Sequence, residues 1–527
     1  MARSAPVPPA PMRSTSLLAA GVGRARAVRA SVVRASVVRA GAVRVRAGRA
    51  IVSAAIALAA VLLSACGSGD SGAAAPASAD LVIEGVTVVD AVNGVREGRT
   101  VVVDDGRITA VLAADDPEAD AVEATERVDG TGRVLIPGLW DFHVHLTYDM
   151  RFTEAMPGLF LAHGVTSIRD TGGILDLVLP VVAELEAEGA TAPRVWFAGP
   201  LLDGADVVYD GENRSALGIG TPDVDAARAN IAALADAGVD FVKIYEMVTP
   251  EVFDALASEA SARGLPIDGH VPLSMLARDV GPRVQSLEHL RNIELDCAAG
   301  AESLLEARLA LLENPDGVPG ADLRSRMHSD QRIPAILDHD PARCAEVIEA
   351  LSETVMVPTL RLNAMGLVSP FERDDWWATL PRLPEAAEID WRGAGERARG
   401  GPPQRDTVHG SYSMRLIGEM NAAGVPVAAG TDTPIGYAIP GYSLHSELEM
   451  LVRSGLTPQE ALFAATVRPA EWFGLEGELG LVAEGYLADL VLLSANPLDD
   501  ITAVRGVEAV VTKGELLTRA ELDALMR

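Results

Sequence analysis

The stretch DFHVHL, residues 141–146, sets two histidines two positions apart at the end of an apolar run. Side chains on a strand alternate, so His143 and His145 face the same way. Other apolar runs end similarly: DGHV at His270, SLEHL at His289 and AAGTD at Asp432. Neutral imidazoles and a carboxylate are ligands that suit zinc and its neighbours. One histidine on an apolar strand is more simply a core residue. Four at strand ends, from a total of nine in the chain, point to a metal centre.

Lys243 sits in the middle of another such run, DFVKIYE. The chain carries 44 basic residues, of which two are Lys, at 243 and 513. A sequence that nearly always writes Arg has written Lys here. An ammonium cannot ligate a cation, and burial among metals should drive it to the neutral amine. That amine can take up carbon dioxide to form an anionic carbamate able to bridge two metals. A guanidinium stays protonated and cannot. The bland alternative is a structural or surface lysine.

The elements that would position these residues alternate between strand and helix. Candidate strands are LIPGLWDFHVHL, GVTSIRD, PRVWFAGP, DFVKIYE, LPIDGHV, VQSLEHL, VMVPTLRL and VPVAAGTD. Helical stretches such as DAARANIAALADAG and PEVFDALASEASARG lie between them. Eight βα units over about 300 residues predict an α/β fold of the TIM (β/α)8 type, with its site at the C-terminal strand ends. A doubly wound open sheet is the alternative, and the chain has no Gly-rich phosphate fingerprint after its first strand. Short β-branched runs broken by NG, EG and DG precede these units, and similar runs follow them at 485–515. The two pieces are expected to pair into a small β-sandwich.

Taken together, PGLWDFHVHL, HGVTSIRDTGG, DFVKIYE, DGHV, SLEHL, AAGTDTP and AEGYLADLVLL resemble the metal-dependent amidohydrolase superfamily, in its imidazolonepropionase-like and prolidase-like group. The resemblance spans about residues 80 to 515. It implies a distorted barrel flanked by a sandwich built from both chain ends. It implies two divalent metals, expected to be zinc: His143 and His145 on the more buried one, carbamylated Lys243 bridging, His270 and His289 on the second, and Asp432 at the eighth strand. Imidazolonepropionases proper resemble the flanking motifs but are expected to use one metal without the lysine. Lys243 therefore favours the two-metal, peptidase-like branch. The expected reaction is hydrolysis of an amide or peptide bond in a small molecule, such as a dipeptide (including an Xaa-Pro type) or an N-acyl amino acid. A metal-bridging hydroxide would attack, and Asp432 would move the proton. Tyr245, Arg361 and His445 are candidate substrate contacts, Arg361 for a carboxylate. The same site could serve an ester, lactone or phosphoester, and a non-catalytic binding lipoprotein is a third reading. His163 reads as structural, Asp170 as a partner of a ligand, and His328, His339 and His409 as solvated.

The remaining features bound the setting. The formal net charge is −30. Residues 1–65 hold ten Arg and no acid, so the rest is more acidic still, which argues against nucleic acid as a partner. The basic repeat, the apolar run AIVSAAIALAAVLL and LSAC read as an export leader over 1–65. LSAC looks like a lipobox, with Cys66 lipidated and 66–79 as a flexible tether. The expected location is thus the outer face of a bacterial cell membrane, with membrane contact only through the lipid. The expected divisions are 80–135 and 476–527 for the sandwich and 136–475 for the barrel, with inserts at 296–345 and 371–411. Trp376, Trp377 and Trp391 in the second insert would cover substrate as a lid or anchor the loop. Cys297 and Cys344 are candidates for a disulfide. A homo-oligomer is open.

Overall fold

The computed structural model describes residues 78–113, 115–212, 214–401 and 407–526. The expectations for the leader 1–65 and for Cys66 fall outside these residues. The chain begins its described course with five strands: β1 Ser78–Asp90, β2 Gly94–Asp104, β3 Arg107–Ala113, β4 Glu123–Asp129 and β5 Val134–Pro137. The NG and DG signals act as read. Asp90 accepts the amides of Val92 and Asn93 at the first turn. Asp105 and Gly106 both have positive φ (49° and 73°) at the second, the conformation of a tight hairpin turn.

A second set of strands follows. β6 Leu139–Val144, β7 Val165–Asp170 and β8 Arg194–Phe197 pair in parallel. β9 Leu201–Asp203, β10 Gly218–Gly220, β11 Val242–Ile244, β12 Ile267–Gly269, β13 Ser286–Glu288 and β14 Val355–Val357 form a parallel sheet in the order β10-β9-β11-β12-β13-β14. The two sheets are stitched at both sides. The Asp240 amide donates to the Phe197 carbonyl at 3.0 Å between β8 and β11. The extended segment 426–433 bridges β14 through Met356 and Val427, and β6 through Val144 and Thr433. This is the (β/α)8 architecture with an interrupted ladder, which is the sense in which the barrel is distorted. The run LIPGLWDFHVHL proves to be two strands. Gly138 separates them, and a Cβ there would lie 2.0 Å from Thr166 Oγ1. β9 and β10 are additions the sequence pattern did not announce.

β15 Leu490–Leu493, β16 Val507–Thr512 and β17 Glu515–Thr518 return the chain to its starting sheet. The order β17-β16-β15-β5-β1-β2-β3, with β4 on β1, joins both ends of the chain. Leu81, Ile83, Val101, Val103, Leu490 and Val511 share the core of this flanking β-unit.

The helices face the barrel with apolar stripes. Val224–Ala237 is capped by Asp223, which accepts from Ala226, and ends at Gly238 with φ 81°. It buries Ala227, Ile231 and Leu234, one face at helical spacing. Pro250–Ala262 starts with Thr249 as cap and Pro250 in the first turn. Inside the barrel, Phe142, Phe241, Trp472 and Phe473 form an edge-to-face aromatic floor. The insert 296–345 folds as helices, among them Gly320–Leu337, and a disulfide links Cys297 to Cys344 across 47 residues. Among the described residues no helix is long and apolar enough to cross a membrane.

Candidate metal centre

Three polar layers stand on the aromatic floor. The lowest is Arg169, fully buried, with its guanidinium 3.7 Å from the Phe142 ring centroid. It donates to the Phe142 carbonyl, Ser286 Oγ and Glu288 Oε1 (2.6 Å). Lys243 comes next. Its Nζ donates to Asp268 Oδ2 at 2.7 Å and lies 3.5 Å from Glu288 Oε1. Arg169, Lys243, Asp268 and Glu288 are thus two cations and two anions, each about 1 % exposed or less. Buried charges persist only when matched in this way. Against burial, His143, Lys243 and Arg169 hold Glu288 ionised, well below the usual carboxylate range.

The imidazoles form the top layer. Each ties its Nδ1 to a partner: His143 to Glu288 at 2.5 Å, His145 to the Gly172 carbonyl at 3.1 Å, His270 to Glu246 at 2.6 Å, and His289 to Thr359 Oγ1 at 2.6 Å. With Nδ1 so engaged, Nε2 is the nitrogen left to bind a metal. His143 Nε2 and His145 Nε2 are 3.4 Å apart, and each is 3.2 Å from Asp432 Oδ1. Donors at about 2.0–2.1 Å from a tetrahedral ion would stand roughly 3.3 Å from one another. The triangle fits a single ion. Two lone pairs and a carboxylate oxygen turned on one another repel unless positive charge lies between them. Burial opposes charge on His143, yet Glu288 and Asp432 raise it to about 9, so a proton on its ring is one source of that charge and a metal ion the other. The ring centroids of His143 and His289 are 4.7 Å apart, and those of His289 and His270 are 4.9 Å apart. Burial lowers His270 to about 3 and His289 well below its ordinary value, which keeps both neutral.

The strand ends bend to make this possible. His289, Thr359 and Asp432 have φ of 59°, 44° and 62°, left-handed values that non-glycine residues seldom adopt. In a regular strand Glu288 and His289 would face opposite ways. The turn at His289 lets both approach His143, their ligating atoms within 4.8 Å of one another.

Other expected residues fall elsewhere. Arg361 is not on a strand but on the short helix Leu360–Asn363. Its guanidinium donates to the carbonyls of Thr431, Ile435 and Gly436, so it braces the loop carrying Asp432. His445 lies at the opposite barrel end, its Nε2 on the His163 carbonyl, and so it does not line the site. His328 is not solvated. It is 7 % exposed and bonded to Glu246. Tyr245 does reach the site, its ring 4.5 Å from that of His270. Asp170 accepts the amide of Leu146, next to His145. Trp376 and Trp377 donate to the carbonyls of Tyr437 and Phe371, and Trp391 packs on Phe152, so these rings anchor their insert.

Sequence reading missed Glu288, Asp268, Glu246 and Arg169. Asp268 was within reach, since it precedes His270 by two and alternation puts both inside. Glu246 and Arg169 carry no such signal.

Comparison with known proteins bears on the family. Residues 385–517 match the sequence family described as the amidohydrolase family. The imidazolonepropionase of Acidiphilium cryptum (strain JF-5) is 25 % identical over 435 residues, 80 % of this chain and 94 % of that protein. Adenine deaminase 3 of Rhizobium johnstonii is 24 % identical over 442 residues, 81 % of this chain but 55 % of that longer protein. The findings support the amidohydrolase superfamily. A solved Xaa-Pro dipeptidase with methionine bound in its active site shares the fold at a TM-score of 0.57, with 18 % identity over 83 % of this chain and 99 % of that one. In that amidohydrolase setting, the histidines at the strand ends are the residues suited to hold divalent metal.

Proposed function

We propose that the protein is a metal-dependent hydrolase that cleaves an amide or peptide C–N bond in a small molecule. The observation that carries this is the set of four buried imidazoles with tied Nδ1 atoms, two of them in a 3.2–3.4 Å triangle with Asp432. The superfamily resemblance supports the reaction class, and a dipeptide or N-acyl amino acid is the substrate we propose for it. His143, His145 and Asp432 would hold one ion, and His270 and His289 the second, with Lys243 between them as carbamate. Bound metals of this kind make water nucleophilic at neutral pH and polarise a carbonyl. The chain's own residues do the rest. Asp432, kept ionised by His289 and His143 against its burial, takes a proton from the attacking water and delivers it to the leaving nitrogen. Tyr245 orients the substrate beside His270. Carbamate formation from the Lys243 ammonium releases two protons, one to free the amine and one as it adds carbon dioxide; Asp268 at 2.7 Å is placed to take the first, and the second leaves to solvent.

The ion pairing of Lys243 favours a second reading, in which one metal sits on His143, His145 and Asp432 and the lysine is only a counter-charge. Metal content of the purified protein separates them: two equivalents for the first, one for the second. Hydrolysis of a panel of dipeptides, N-acyl amino acids, esters and lactones tests the reaction. Bound metal with no turnover of any member would remove the enzyme reading. We propose further that Cys66 anchors the exported protein, which membrane fractionation of a Cys66→Ser variant would test.

A further inference from the structure

Beside this centre lies a cavity of about 500 Å³ whose walls include Arg291, Arg324, His328, Arg332 and Asn363. It adjoins the candidate ligands closely. Arg291 follows His289 by two residues, and Asn363 donates to the His289 carbonyl. Arg324 and His328 both hold Glu246, which in turn holds His270. Among the described residues no acidic side chain lines the cavity, although the chain as a whole carries a net charge of −30.

The charges around it do not balance. Arg324 is matched by Glu246 and Arg332 by Glu294. Arg308 stands behind them, bonded to Gln331 and Asn292, which are neutral. His328 adds no charge, because burial pushes it well below its ordinary range. Among the described residues, four guanidiniums therefore face two carboxylates. The hydrogen-bonding count is also incomplete. The Nε atoms of Arg291 and Arg324 are buried without a partner, and Arg324 is 7 % exposed. Buried donors of this kind nearly always find an acceptor. Guanidinium N–H groups in a partly desolvated pocket are matched best by carboxylate oxygens.

We propose that this cavity is the subsite for the anionic end of the substrate, and that Arg291 and Arg324 bind its carboxylate groups. The excess of positive charge fits an acidic amino-acid portion, with two carboxylates, better than a neutral or basic one. The proposal rests on the hydrolytic reading for the bond that is cut, but not for the existence of the subsite. Its walls come from the insert helix Gly320–Leu337, the turn after β13, the short helix Leu360–Asn363 and the start of the helix Thr407–Ala422. Arg291 is the clean place to test it, since its removal strands no carboxylate.

The experiment is calorimetric titration of the full purified protein with glutarate and with its neutral diamide. Wild type should bind glutarate at least tenfold more tightly than the diamide. Arg291→Gln should lose that preference, and Arg291→Lys should keep part of it. With N-acyl-glutamate as substrate, the loss in Arg291→Gln should fall on KM more than on kcat. Equal affinity for glutarate and diamide in wild type, or an unchanged preference in Arg291→Gln with an unchanged melting temperature, would overturn the subsite. Arg291-dependent glutarate binding without hydrolysis of any substrate would uphold the subsite and remove the hydrolytic reading.

Discussion

Replacing Lys243 distinguishes its two roles, because charge and carbamate chemistry separate in Lys243→Arg and are lost together in Lys243→Ala. The Nζ to Asp268 contact of 2.7 Å is buried on both sides. At an effective dielectric of about 20, two charges at that distance attract by roughly 6 kcal/mol. Desolvation offsets part of this. Removing one partner of such a pair costs about 3–5 kcal/mol, because the other charge is left unmatched. Lys243→Ala leaves Asp268 the Ser286 hydroxyl at 2.6 Å and, among the described residues, Arg169 at 3.6 Å as its cation, so a loss of that size is expected in chemical denaturation. Lys243→Arg retains the cation and should recover much of the stability. It cannot form a carbamate, so it should hold fewer than two equivalents of metal and lose turnover by about a thousandfold or more. Metal analysis, denaturation and kinetics on the same preparations provide the comparison. Lys243→Arg with two metals and undiminished turnover would refute the carbamate role. Lys243→Ala with wild-type stability would refute the buried quartet as well.

Other outcomes follow from the same geometry. Asp432→Asn should reduce turnover by about 10²–10⁴-fold while metal is retained, as read by kinetics and metal analysis. Burial raises Glu447, which accepts the amides of Leu360 and Arg361, from 4.5 to about 7. Between those values the folded state holds the proton more tightly than the unfolded state. Glu447 therefore favours the fold most below about pH 4.5, and this contribution of about 3 kcal/mol fades as pH rises through 7. Subtracting the Glu447→Gln stability curve from that of wild type should reveal a difference that slopes over this window, and a flat difference would remove the assignment. Opening the Cys297–Cys344 link with Cys297→Ser should cost about 4 kcal/mol on the chain-entropy account for its 47-residue loop, and a melting temperature equal to wild type would argue against the link.

The chain's pattern by itself determined the framework. Strand and helix alternate because apolar residues recur with periods of two and then 3.6, and the NG and DG turns place the flanking hairpins. His143 and His145 share a face by alternation alone, and the scarcity of lysine marked position 243. These are local properties, decided by neighbours along the chain. The tertiary structure decided which charges meet. Glu288 reaches His143 and Lys243 only because strands 145 residues apart in sequence lie near each other in the barrel. Arg361 looked free for substrate until the loop after residue 430 folded its carbonyls onto it. His328 and Arg324, in a polar insert, became part of the site because Glu246 gave them a buried partner. Hydrogen bonds and ion pairs act at about 3 Å through space, and no one-dimensional pattern records which distant residues will stand at that distance.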